Sequence, residues 1–257
     1  MKLRGYLALF VTCTGLLLFD PVQRLLIAPY LRLRPSRRIA TMTAWIRWMA
    51  AFLRRCMNFI GGSKIPTPPT IAGNVEDGVL LVMNHQSLFD IPLIVSAVTG
   101  VYPRIVTRRR YATKIPLISH LIRLYQYPIV DPAATREEIA NSVKQLAEIA
   151  RTTDVPLAIF PEGTRTKDGE IARFKTKGMK AILATRPWTV YAYVVDGFWE
   201  RAKFKDFLGG VSDLDGKMEF VGRFEWSDPE GDALPFIHEI RGQMVERLEA
   251  MRDETAE

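Results

Sequence analysis

Val79-Leu80-Leu81-Val82-Met83-Asn84-His85-Gln86-Ser87-Leu88-Phe89-Asp90 decides how this chain folds. Its first five residues are apolar without a break, as in a strand buried on both faces. The run ends at a histidine. Ser87 then stands as a helix N-cap, with Asp90 three residues on in capping-box spacing. The spacing therefore places an imidazole at the carboxyl end of a buried strand, where α/β sheets gather their chemistry. A carboxylate one turn away can hold one ring nitrogen and leave the other to accept a proton. This reads as a general base with its orienter. The plainer alternative is a helix cap beside a satisfied polar residue.

Downstream, strand and helix alternate. Residues 87–98 read as a helix, 104–107 as a short strand, 115–124 as a helix and 127–130 as a strand. Thr135 with Glu138 is a second capping box, opening a helix with Ile139, Val143, Leu146 and Ala150 on its apolar face. Further strands are expected at 156–160, 190–195 and 217–226, and helices at 176–185 and along Ile237, Ile240, Met244, Leu248 and Met251. This order predicts an α/β domain, a mostly parallel twisted sheet flanked by helices.

Phe160-Pro161-Glu162-Gly163-Thr164-Arg165 follows its strand as the His85 stretch follows its own, so both should meet at one edge of the sheet. Pro-Glu-Gly is turn chemistry. Arg165 offers a planar fork suited to phosphate oxygens. Lys175 adds a cation where the next helix begins, an end that favours anions. Arg108, Arg109 and Arg110 follow the short strand at the same end. The alternative for each piece is a surface turn with a solvated arginine, and Pro-Glu-Gly alone favours that alternative.

Residues 6–19 are almost wholly apolar, with Lys2 and Arg4 before them and Asp20-Pro21 after. The start resembles a signal peptide, but no small-x-small cleavage site follows. The run falls short of the ~20 residues of a comfortable span, and arginines stand on both sides. Met42, Trp45, Ile46, Met49, Phe52, Leu53, Cys56 and Ile60 recur at helical spacing, with Arg47, Arg54 and Arg55 off the stripe, Ser36 as the expected cap and Gly61-Gly62 as the stop. Together these segments predict helices that lie in the membrane interface at residues 1–62, followed by an α/β domain at 63–257. Packing of the stripe on the protein's own core is the alternative. Pro66-Thr67-Pro68-Pro69 marks the boundary.

The net charge of +7 calls for an anionic partner: nucleic acid, an anionic membrane or an acidic substrate. RNA-binding motifs with interleaved aromatics are absent from the sequence. Cys13 and Cys56 are too few for a zinc site and read as buried thiols.

Asn84-His85-Gln86-Ser87-x-x-Asp90, followed some seventy residues later by Phe160-Pro161-Glu162-Gly163-Thr164-Arg165, resembles the glycerolipid acyltransferases. Within them it is most similar to the 1-acyl-sn-glycerol-3-phosphate (lysophosphatidic acid) acyltransferase family. The resemblance covers residues 79–195 and extends to a two-helix membrane element at the N-terminus. It implies a glycerolipid acyltransferase-like fold, with His85 as base and Asp90 as its partner. It also implies that Glu162, Gly163, Thr164 and Arg165 belong to the acceptor-binding motif, with Lys175, Arg108 and Arg109 as further cations. The implied co-substrate is acyl-CoA or acyl-carrier protein, with no metal or bound cofactor. The implied location is the cytoplasmic face of a membrane, the inner one in a bacterium, with no nucleic-acid partner.

Two features depart from the family. Its second motif ends in an arginine where this chain has Pro132, and its fourth carries a proline absent from residues 189–194. A phosphate clamp would be rebuilt from Arg165, Lys175, the 108–110 cluster or Arg136, or the acceptor is a lysophospholipid with a larger head group. A non-catalytic basic lipid-binding protein and a thioester hydrolase are the competing functional readings.

Overall fold

The computed structural model of the chain describes residues 2–72, 78–131, 134–201, 212 and 214–256. Helices α1 (Lys2–Val22), α2 (Ala28–Leu33) and α3 (Arg38–Arg55) come first. Strands β1 (Ile71–Ala72) and β2 (Val79–Met83) lead to α4 (Asp90–Ser96). The short strands β3 (Val98–Thr99), β4 (Arg104–Ile105) and β5 (Thr107–Arg108) precede α5 (Ile118–Leu124). Then come β6 (Ile129–Val130), α6 (Arg136–Thr152), β7 (Leu157–Ile159), α7 (Thr176–Leu183), β8 (Trp188–Asp196), β9 (Lys217–Trp226) and α8 (Ala233–Ala256).

The main sheet runs β4-β7-β2-β8-β9, parallel except for the antiparallel last pair. Every residue of β2 is buried, as its unbroken apolar run predicts. Its side chains alternate between two cores. Leu80 and Val82 pack with Leu157, Val190, Ile237 and Ile240 on the side of α6, α7 and α8. Leu81 and Met83 join the core on the opposite face, with Leu93, Tyr102 and Leu121.

That second core also takes in Ala8, Leu9, Met42, Ile46, Met49 and Met57. The helical stripe of α3 thus packs largely on the protein's own core, with Trp45, Leu53 and Ile60 partly buried against it. The apolar surface left over belongs to the segment before it. Leu3, Phe10, Leu17, Leu18, Leu25, Leu26 and Leu33 stay exposed. The helix here runs past Pro21, through a π-helical turn at Gln23–Ile27 and into α2. Proline supplies no N–H to the ladder, and the ladder re-forms as that π turn directly after it. Leu3–Leu33 is consequently one helix long and apolar enough, by length and composition, to cross a membrane. The apolar run alone, cut off at Asp20-Pro21, looked too short.

Two further local expectations change. Ser36 makes no cap; α3 starts at Arg38, and its N-cap residue, Arg37, offers no side-chain bond. Gly62 ends that helical segment in the left-handed conformation at φ 82°, as a glycine stop should. Cys56 is buried but Cys13 is exposed.

Candidate active site

β2 and β7 are parallel neighbours in register Leu80–Leu157, Leu81–Ala158 and Val82–Ile159. The segments leaving their carboxyl ends therefore emerge side by side, and these are the His85 and Glu162 stretches. His85 Nδ1 lies 2.6 Å from Asp90 Oδ2. The carboxylate is fully buried. The same oxygen accepts from the backbone N–H groups of Gln86 (2.6 Å) and Ser87 (2.8 Å). The Ser87–Asp90 pair is thus no capping box. Helix α4 begins only at Asp90, whose carboxylate turns back onto the loop and the imidazole, while Ser87 Oγ accepts from Phe89 N–H at 3.0 Å. With Nδ1 donating to Asp90, the lone pair of the ring is on Nε2. Phe160 stacks on the ring at 4.5 Å between centroids.

Three side chains hold the histidine's backbone. Asn84 clamps Val195 in both directions, donating to its carbonyl (2.9 Å) and accepting from its N–H (2.8 Å). Gln86 donates to Asp196 and accepts from Phe198 N–H. Glu162 accepts from His85 N–H at 2.7 Å and from Ala172 N–H at 3.0 Å. Sequence reasoning placed Glu162 in the acceptor site. The structure buries it to 2% exposure, with each oxygen on a backbone donor and neither on the cavity wall. The signal for the positioning roles of Asn84 and Gln86 was their place on either side of the histidine.

One cavity of about 1260 Å³ opens at His85. Its walls are apolar: Leu9, Leu16 and Met49 from α1 and α3, Ile118 and Leu121 from α5, and Tyr127. Arg108, Arg110, Arg165, Lys175 and Lys177 also line it, with Gly163 and Thr164. Arg108 donates to the Gly163 carbonyl. The Lys175 stem lies over Gly163, where a Cβ would meet it at 3.1 Å; φ of +66° at Gly163 already favours glycine. Arg109 turns instead to Asp131 at 3.3 Å and does not line the cavity, nor does Arg136. Pro132 lies outside the described residues. An apolar cavity with a base and several cations on its wall suits an amphiphile with a long chain and an anionic head.

A model of the acyltransferase family matches residues 56–195, more than half of the chain. The chain belongs to the acyltransferase family. This acyltransferase is 27% identical over 158 residues to a 1-acyl-sn-glycerol-3-phosphate acyltransferase of Cocos nucifera, covering 62% of this chain and 46% of that one. It is 25% identical over 205 residues to the protein of the same description from Borreliella burgdorferi, covering 78% and 79%. Lysophosphatidylcholine acyltransferase 2 of Rattus norvegicus is 29% identical over 127 residues, 48% of this chain and 22% of that one. The matches thus span less than half of the coconut and rat proteins. The crystal structure of the 1-acyl-sn-glycerophosphate acyltransferase PlsC from Thermotoga maritima has the same fold, with a TM-score of 0.71 over 98% of both chains at 19% identity.

Burial pushes the Glu162 carboxyl up from 4.5 to about 7, against the opposite pull of its two backbone donors. A carboxyl with a raised folded-state pKa stabilises the fold below its unfolded value and loses that contribution as pH rises to about 7. Glu162→Gln keeps the shape but sets an NH₂ against a backbone N–H. We expect kcat to fall about ten- to hundredfold, the cost of a buried donor left unpaired. KM should change little, and thermal stability should depend less on pH between 4.5 and 7. Stopped-time acyl-transfer kinetics and melting curves across that window check both; an unchanged kcat contradicts the positioning role.

Proposed function

We propose that this acyltransferase moves a fatty acyl chain from an acyl thioester to the free hydroxyl of 1-acylglycerol-3-phosphate, giving phosphatidic acid. The thioester is carried by coenzyme A or acyl-carrier protein. The observation that supports this most is the His85–Asp90 pair opening onto an apolar cavity that also carries Arg108, Arg110, Arg165, Lys175 and Lys177.

The chemistry follows from that arrangement. A glycerol hydroxyl is a weak nucleophile at neutral pH. His85 Nε2 takes its proton as the oxygen attacks the thioester carbonyl. The buried Asp90 carboxylate supports the imidazolium that forms. The C–S bond then breaks, and the departing thiolate recovers the proton from Nε2. No covalent acyl-enzyme is required, since the lipid oxygen itself forms the new ester. The apolar walls hold acyl chain and exclude water, which favours the lipid hydroxyl over hydrolysis. Binding both substrates in one cavity supplies much of the rate.

The exposed leucines along residues 3–33 suit contact with a bilayer, and the excess of arginines suits the cytoplasmic face. Arg165→Ala tests the acceptor assignment. A charge-assisted contact to phosphate is worth about 1.5–3 kcal/mol, so KM for 1-acylglycerol-3-phosphate should rise roughly ten- to a hundredfold. KM for the acyl donor should stay within about twofold of wild type. Equal rises for both substrates would remove Arg165 from the acceptor site.

A further inference from the structure

Helix α5 has two lined faces. Ile118, Leu121 and Ile122 face the large cavity, whereas His120, Arg123 and Leu124 line a second hollow of about 270 Å³. Ala28, Leu31 and Arg32 of α2 and Arg38 of α3 complete it. Three arginines and a histidine thus line one small space. Among the described residues, none of the three arginines has a carboxylate partner. The nearby Asp20 is already taken by Arg24 at 2.9 Å and by Leu117 N–H at 2.8 Å.

The hollow is a wall of donors. Arg38 donates to the Leu124 carbonyl at 2.5 Å and Arg123 to the Ala112 carbonyl at 3.4 Å. Each guanidinium has five N–H groups, so both keep donors to spare. The tautomer of His120 follows from its neighbours. The Trp45 indole can only donate, and it donates to Gln23 Oε1 at 3.1 Å. That fixes the amide, so Gln23 Nε2 donates to His120 Nδ1 at 2.7 Å. The remaining nitrogen, Nε2, then carries the hydrogen. Burial, with Arg24 and Arg123, lowers the ring's pKa and keeps it in this form. Helix α3 starts at Arg38 with no side-chain cap and no acid in its first turn, which adds a positive dipole end. Such a site is completed by an acceptor-only anion.

The helix that supplies Arg32 also carries the exposed Leu25, Leu26 and Leu33. One helix thus carries both a cation lining the hollow and exposed apolar surface, the two features that a lipid's phosphate and chains require. We propose that this hollow binds the phosphate of an anionic phospholipid head group, at a site separate from the acyl-transfer cavity. The proposal rests on the membrane reading above.

The test is calorimetric titration of the full-length protein in non-ionic detergent with dihexanoyl phosphatidylglycerol, and separately with inorganic phosphate. Wild type should bind the lipid saturably and inorganic phosphate much more weakly. Losing two charge-assisted contacts in Arg32→Gln/Arg123→Gln should weaken lipid binding about a hundredfold. Acyl transfer to detergent-dispersed acceptor should stay at the wild-type rate in that variant, which also shows that it folds. Arg34→Gln/Arg37→Gln removes the same charge from exposed positions outside the hollow, and should change binding by less than about twofold. Equal losses in the two double variants would mean diffuse surface attraction and overturn the site. Inorganic phosphate binding as tightly as the lipid would overturn the lipid assignment. Flotation on neutral phosphatidylcholine vesicles reports the membrane reading alone, so the two failures are distinguishable.

Discussion

His85→Ala should lower acyl transfer by about a thousandfold or more while the protein keeps its melting temperature and lipid association. The ring is only partly buried, and its environment is held by other groups. Asn84, Gln86 and Glu162 fix the loop through backbone and neighbouring side chains, none of which needs the imidazole. Loss of the ring therefore removes a proton acceptor and its stack on Phe160 while leaving the anchors of the loop in place. Asp90→Asn should cost activity nearly as much, by a different route. Its carboxylate oxygen receives three donors, the imidazole and two backbone N–H groups. An asparagine that keeps its oxygen there still lacks the charge that supports the imidazolium, and one that flips sets NH₂ against three donors. The pair is distinguished by stability: Asp90→Asn should lower the melting temperature, since a buried, hydrogen-bonded charge site is disturbed, and His85→Ala should not. Near-normal turnover in folded His85→Ala protein would remove the base from the mechanism.

The second large effect is expected from truncation. Removing residues 1–60 should give an insoluble, inactive remainder, not a free catalytic domain. Met42, Ile46, Met49 and Met57 are buried in the same core as Leu81, Leu93 and Tyr102. Each such side chain is worth about 1.5–3 kcal/mol when buried, and a whole domain has only about 5–15 kcal/mol in hand. The lost helices also form one wall of the cavity, through Leu9, Leu16 and Met49. Expression of residues 61–257 with sedimentation and circular dichroism checks this. A monomeric, folded fragment would show that the N-terminal helices are an accessory anchor. Serine at Leu25, Leu26 and Leu33 should instead weaken vesicle binding and spare the fold, because those side chains are mostly exposed.

The site was legible because its two halves are carried by adjacent parallel strands with unbroken apolar runs, β2 and β7, each ending in its motif. Strand type and direction then placed His85 beside Phe160 and Glu162. Spacing alone left Asp90 two roles, partner of the imidazole or half of a helix cap. Ser87 and Asp90 fit a capping box by spacing, yet Asp90 faces back toward His85 because three donors await it there. Glu162 reads as a binding residue within its motif but is consumed by two backbone N–H groups. The stripe of α3 is equally regular whether it meets lipid or protein, so only the tertiary packing decides. Pro21 hid the continuation of the first helix, because a π turn absorbs the missing bond. Arg109 and Arg110 are neighbours in a run of like residues, and the 3₁₀ turn at Arg109–Tyr111 decides which one reaches the cavity.

The central claim is tested most directly by measuring kcat/KM for purified protein with one acyl donor and a panel of acceptors. The panel holds 1-acylglycerol-3-phosphate, lysophosphatidylcholine, lysophosphatidylethanolamine, lysophosphatidylglycerol and water. The account predicts phosphatidic acid as the main product, formed at least as efficiently as any other lipid and far faster than free fatty acid. A clear preference for a larger head group, or release of free fatty acid as the dominant reaction, would contradict it.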